Sequence, residues 1–231
     1  MPLSVWRWKK SQELFKFLLS RRNRATSREL LMDVLWPDES SSRVANRLSV
    51  ALSAVRTVLD PDRVHPADFF VAADRYAVTL SNLAVDAEIF VFHATVALER
   101  HYCGDRDAAH ALAFAESLYV GDFLPADQCV EWTAPVRETA KANYLEVVRA
   151  LAKLSADSGQ HHLAVRYHLQ ALQRDAFDEA AHLGLVQAFL TTGRTSAAHR
   201  HYRSYVARMA EIGVDPAPPP AVDRLRTRLA G

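Results

Sequence analysis

The sequence predicts a mainly α protein carrying one short β-hairpin, and three observations carry that prediction. Apolar residues recur at helical spacing along most of the 231 residues, with only 7 glycines and a hydrophobic fraction of 49% that is ample for real cores. Alternation of period two is confined to residues 3–8 and 69–80. Late in the chain the pattern repeats itself: Gly159 and Gly193, Leu151 and Leu185, and Ala164 and Ala198 are each 34 residues apart.

Composition narrows the function classes. The formal charge of +1 is unevenly divided, since the first 60 residues hold 11 Lys or Arg against 6 Asp or Glu and the remainder holds 17 against 21. A positive field over the first quarter of the chain suits a polyanionic partner. There is no run of 18 apolar residues and no basic-then-apolar start, so a soluble, cytoplasmic protein with no membrane partner is expected. Cys103 and Cys129 lack metal-ligand spacing and read as reduced core residues.

Residues 3–8, LSVWRW, alternate as a short edge strand. Residues 11–20 place Leu14, Phe15, Leu18 and Leu19 at helical spacing, and the basic loop Arg21, Arg22, Asn23, Arg24 closes that helix. Thr26 and Glu29 have the spacing of a capping box, opening a second helix that buries Leu30, Leu31, Val34 and Leu35 and stops at Pro37. Ser40, Ser41 and Ser42 offer caps for a third helix over residues 43–60. At 100° per residue, Leu48, Ala51, Leu52, Val55 and Leu59 share one narrow arc. Arg43, Asn46, Arg47, Val50, Ser53, Ala54 and Thr57 share the opposite side, where no acid occurs before Asp60. A helix entering a DNA major groove needs such a face, because bulky or acidic side chains would hold it off the phosphates and base edges. Residues 69–80 then read as two short strands around Ala73, Asp74 and Arg75, with Tyr76, Val78 and Leu80 on one face. Helix, turn, longer helix and hairpin in that order describe a winged helix-turn-helix.

In Leu35-Trp36-Pro37-Asp38, and in Asn46 together with residues 52–56, the chain resembles the bacterial transcriptional activator domain proteins, the group that includes the Streptomyces antibiotic regulatory proteins. The resemblance implies an OmpR-type winged helix whose third helix enters the major groove of promoter DNA. Carried over by position, it implies groove contacts from Arg43, Asn46, Arg47, Ser53 and Thr57. Arg28, Arg56 and Arg75 are implied as phosphate contacts, although Arg56, at the edge of the arc, equally suits a salt bridge inside the fold. OmpR-type domains begin with a small antiparallel sheet, and only about eight residues precede the first helix here. Either that sheet is reduced to one strand or the chain is part of a longer protein.

Residues 84–231 read as helical throughout. Helices are expected over 86–102 and over 106–119, the latter burying Ala109, Leu112, Ala113 and Leu118, followed by a tight loop at residues 119–125 and a long helix from about Cys129 to Ser158. A period of 34 with a glycine followed five residues later by alanine marks tetratricopeptide-like repeats. They predict helices near 141–157, 160–174, 178–192 and 195–212, and Gly104 with Ala109 repeats the offset out of period. Residues 215–220 are proline-rich and extended, and a last helix at 221–229 folds back as a cap. Grooves in such arrays bind peptides or another subunit; by resemblance, the partner is RNA polymerase, another protein or a second copy in a homodimer.

Six of the ten histidines, at 161, 162, 168, 182, 199 and 201, cluster late in the chain. No HExxH, paired-cysteine motif or ligand-spaced carboxylate accompanies them. His199 and His201 point about 200° apart on a helix, and His161 and His168 read as exposed polar positions or partner contacts. No phosphate-binding loop, GxSxG elbow or dinucleotide loop occurs. The reading is therefore a regulator that is no enzyme and needs no cofactor or metal. Its winged-helix DNA-binding domain spans residues 1–82, and its activator domain of tetratricopeptide-like repeats spans 84–231. The rival reading is a protein-interaction or ligand-sensing module whose winged helix no longer binds DNA.

Overall fold

The computed structural model describes residue 6, residues 8–37, residue 39 and residues 41–220, with Ser41 and Ser42 described by backbone alone. Among these residues the chain is mainly helical, with nine α-helices and one three-stranded sheet. It divides into two compact units, one of Met1–Val85 with Phe123–Arg137, the other of Asp86–Asp122 with Glu138–Gly231. The strand expected at 3–8 lies mostly outside the described residues, and Trp6 and Trp8 within them belong to no strand. The helix expected at 221–229 lies outside them entirely.

The first unit is a winged helix-turn-helix. Helix α1 (Lys9–Ser20) buries Ser11, Leu14, Phe17 and Leu18, while Phe15 stacks on Trp6 at 5.2 Å. Asn23 then turns the chain in a left-handed conformation, φ 61°, and donates its N–H to the Leu80 carbonyl at 2.8 Å. That turn brings β1 (Thr26–Ser27) against the wing. Thr26 is thus a buried strand residue, and Ser27 caps α2 (Arg28–Leu35), its hydroxyl accepting the Leu30 N–H at 3.2 Å. The expected capping box is corrected by this shift, which leaves Glu29 one position short of the reciprocal place. An eight-residue helix buries one row, so Leu31 and Leu35 are inside while Leu30 and Val34 are each 36% exposed.

Helix α3 (Ser41–Leu59) buries Val44, Leu48, Ala51, Leu52 and Val55. They join Leu14, Leu18, Leu31 and Leu35 in one core, where each fully buried aliphatic side chain contributes roughly 1.5–3 kcal/mol. The wing is β2 (Val71–Ala73) and β3 (Ala77–Leu80), and the sheet runs β1-β3-β2, antiparallel throughout. Val71, Val78 and Leu80 are fully buried, but Tyr76 is 72% exposed because it belongs to the turn and not to the strand. Two single turns of 3-10 helix, Pro125–Asp127 and Glu131–Thr133, complete this unit. Trp132 meets Phe17 edge to face at 5.3 Å, and Asp127 pairs with Lys16 at 2.7 Å.

In the second unit α4 (Asp86–Tyr102) and α5 (Ala108–Leu118) form a helical pair, followed by α6 (Ala134–Asp157) from Glu138 onward, α7 (His161–Arg174), α8 (Glu179–Thr191) and α9 (Thr195–Glu211). Helix α6 begins at Ala134 and not near Cys129, since the 3-10 turns occupy the preceding residues. The repeat is real. Gly159 and Gly193 take φ 73° and 74° at equivalent helix ends, a conformation that a Cβ would strain. Ala164 and Ala198 are 0% and 2% exposed, so the paired helices approach closely. The offset at Gly104 does not repeat this packing: α5 buries Ala108, Leu112 and Ala115, while Ala109 and Ala113 are exposed and Leu118 is half-buried. Cys103 and Cys129 are exposed and not core, one just past the end of α4 and the other between the 3-10 turns. Residues 214–220 have no regular structure but are tied down, the Tyr202 hydroxyl donating to the Ala217 carbonyl and the Ala217 N–H donating to the Tyr205 hydroxyl, both at 2.9 Å. Among the described residues no helix is long and apolar enough to cross a membrane.

Candidate nucleic-acid interface

Opposite its buried stripe, α3 exposes Arg43, Asn46, Arg47, Ser53 and Thr57, and Val50 among them is 48% exposed. The Thr57 hydroxyl donates back to the Ser53 carbonyl at 3.0 Å, a local bond that long-chain polar residues do not make. Among the described residues, Glu39 is an acid that reaches this face from outside the helix. Arg47 donates through Nη1 to both carboxylate oxygens of Glu39, in the loop before α3. Periodicity within the helix carries no sign of Glu39.

Arg28 ties three elements together. Its backbone N–H donates to the Tyr76 carbonyl at 2.9 Å and its Nη2 to the Ser49 hydroxyl on α3 at 3.3 Å. At the wing tip, Asp74 Oδ1 accepts the N–H groups of Tyr76 and Ala77, both at 2.7 Å. Those amides, Ala77 first, hold the Asp74 carboxyl below its ordinary range, and the Arg28 charge lowers it further. Arg75 is exposed at the tip with its guanidinium 5.5 Å from the Tyr76 ring centre. Arg56 points elsewhere: it is partly buried and donates to the Val71 carbonyl, so it bonds within the fold to a carbonyl.

Residues 85–229, more than half of the chain, match the model of the bacterial transcriptional activator domain. The chain belongs to that family. No curated protein matches it. Among solved structures it is similar to Mycobacterium tuberculosis EmbR, determined in complex with a low-affinity phosphopeptide, with a TM-score of 0.75 and 20% identity over 90% of this chain. At that identity the likeness is one of fold, and the chain spans 56% of the EmbR chain.

In this activator-domain protein the five groove candidates lie on one exposed side of α3, Arg28 and Arg75 both lie at the turn of the wing, and Arg56 stands apart as a brace. Tyr76, expected on one face with Val78 and Leu80, is instead an exposed turn residue beside Arg28, and Ser49 is a neighbour that sequence patterning did not single out. In the activator unit the histidines are partly structural. His182 is 3% exposed, its Nδ1 3.0 Å from His201 Nε2 and its Nε2 3.0 Å from the Ala176 carbonyl. His168 is not an exposed polar position, for its ring lies so close to Gly184 that an added Cβ would meet it at 2.2 Å. Among the described residues no three His, Cys, Asp or Glu side chains converge on a metal site.

Proposed function

We propose that this protein is a DNA-binding transcriptional regulator in which α3 enters the major groove of promoter DNA and the wing touches adjacent phosphates. One observation carries the reading: α3 divides cleanly into an aliphatic core stripe and an exposed side bearing Arg43, Asn46, Arg47, Ser53 and Thr57. Residues 1–82, with the bracing segment 123–137, do the DNA work. Residues 84–231 serve as the activating part, meeting RNA polymerase or a second copy in the cytoplasm.

The test is an anisotropy titration of the full chain against a pool of promoter duplexes. Arg43→Ala and Arg47→Ala are each expected to flatten the slope of log affinity against log salt by up to about 0.9. Asn46→Ala is expected to relax preference at one base pair, at a cost of about 1–3 kcal/mol. Unchanged binding in all three, with far-ultraviolet dichroism intact, sinks the assignment. The rival, a winged helix retired from DNA, is favoured by Glu39 sitting on Arg47; it predicts that no duplex binds even after Glu39→Ala.

A further inference from the structure

Between the start of α1 and the middle of α3 lies a cavity of about 550 Å³, a volume typical of small-molecule sites. All of its lining belongs to the first unit. Four apolar side chains wall it: Trp36 and Ala51 are buried, while Trp8 and Val50 are each about half-exposed. The rest of the lining is polar or cationic, supplied by Lys9, Lys10 and Ser11 on one side and by Asn46 and Arg47 on the other.

The α1 side is built to receive a negative charge. Helix α1 starts there with no side-chain cap and no acid in its first turn, so the Lys9 and Lys10 N–H groups present the positive end of the helix. Ser11 comes next. It is only 2% exposed and lines the cavity, yet among the described residues its hydroxyl has no hydrogen-bond partner. A buried hydroxyl left unpaired is costly to a fold. Lys9, Lys10 and Arg47 add three cations, and Glu13 and Glu39, the acids that meet them, stand outside the lining.

We propose that this cavity binds a planar aromatic carboxylate, with its ring against the wall of Trp8, Trp36 and Val50 and its carboxylate on the first turn of α1 and the Ser11 hydroxyl. Inorganic phosphate would answer the helix terminus but leave the indoles and Val50 wet, and a neutral arene would cover the wall but leave the terminus and Ser11 unanswered. Asn46, Arg47 and Val50 belong also to the α3 face proposed to enter the major groove, so an occupied cavity and a bound duplex exclude one another. That exclusion rests on the DNA-binding proposal; the ligand site stands without it.

The probe is naphthoate, titrated calorimetrically into the full chain, with naphthyl methanol and inorganic phosphate as comparators. One saturable site is expected, with both comparators weaker by about tenfold or more. Ser11→Ala separates ligand from fold: it removes an unpaired hydroxyl, so the thermal midpoint holds or rises while naphthoate weakens about three- to tenfold. Trp8→Ala is expected to weaken naphthoate about tenfold, and Val50→Glu, which sets an acid in the wall, to abolish it. The proposal is overturned if the wild-type chain does not bind naphthoate, or if Ser11→Ala and Trp8→Ala both leave its affinity intact. It is equally overturned if phosphate binds as tightly as naphthoate, which would reduce the site to a bare helix terminus. In an anisotropy assay naphthoate is expected to release a promoter duplex at concentrations that track its calorimetric affinity, and at higher ones for Ser11→Ala. A ternary complex overturns the exclusion, whereas a chain that binds naphthoate but no duplex supports the ligand site and counts against the DNA-binding proposal alone.

Discussion

Arg56 and Val71 are bonded twice: the guanidinium donates to the carbonyl through Nε at 3.1 Å and through Nη2 at 2.8 Å, fastening β2 to α3. A bond from a charged donor is worth about 1.5–3 kcal/mol. Arg56→Ala is expected to lower the unfolding free energy in urea by about that amount, and Arg56→Lys to recover less than half. Any weakening of DNA binding should come through the wing, so the salt dependence stays unchanged. A slope flatter by about 0.9 would instead make Arg56 a phosphate contact.

Glu39 holds a negative charge against Arg47 on the face proposed to meet DNA. Both side chains are well exposed, 52% for Arg47 and 38% for Glu39, so the pair adds less than about 1 kcal/mol to the fold. Glu39→Ala is expected to leave the thermal midpoint within about two degrees while tightening duplex binding roughly three- to tenfold at low salt. Weaker binding by the variant would mean that Glu39 presents Arg47 in its working shape and does not oppose it.

His201 carries a pH dependence whose sign follows from its surroundings. His182 Nε2 faces a carbonyl and must donate, so its Nδ1 accepts and His201 Nε2 donates. Burial first, and then the neighbouring His182, push His201 down to about 4. An unfolded histidine titrates near 6.5, so the unfolded chain takes up a proton that the folded one refuses. Stability of the second unit is therefore unaffected above about pH 6.5 and falls as pH drops from there toward 4. The ring is half-exposed, and solvent screening limits the loss to about 1–2 kcal/mol. His168, also pushed down by burial, acts in the same direction. Urea midpoints at about pH 7.5 and pH 5 check this: His201→Gln should remove part of the slope, and a flat wild-type profile contradicts the account.

What the sequence made legible was local and periodic. The core stripe of α3 follows from residues three and four apart, and the glycine and alanine register of the repeats from positions that recur after one structural unit. The features it hid depend on partners far away in the chain. The strand at Thr26 has two residues and exists because Val78 and Ala77 pair with it. Gly184 sits inside a helix, where glycine is costly, and its reason is the His168 ring contributed by α7. Arg56 reads as a cation at the margin of a polar face until Val71 is placed beside it. Glu39 and Arg47 meet through a loop whose path no helical wheel contains. The cysteines are exposed for a different reason: burial of an isolated small side chain is decided by where an element ends, which for α4 is one residue before Cys103.

The segment carrying Asp127 and Trp132 belongs to the first unit although 111 residues separate Lys16 from Asp127. The chain therefore leaves the winged helix, builds the first helical pair, returns to buttress α1, and departs again. Inheritance of the two halves is coupled by that route. A chimaera that exchanges everything before residue 83 for another winged helix would confront the new first helix with a tryptophan and an aspartate matched to Phe17 and Lys16. Exchange that preserves the fold has to carry two separate stretches of gene at once, so a change in what the proposed α3 face contacts takes fewer steps by point substitution on α3 than by shuffling.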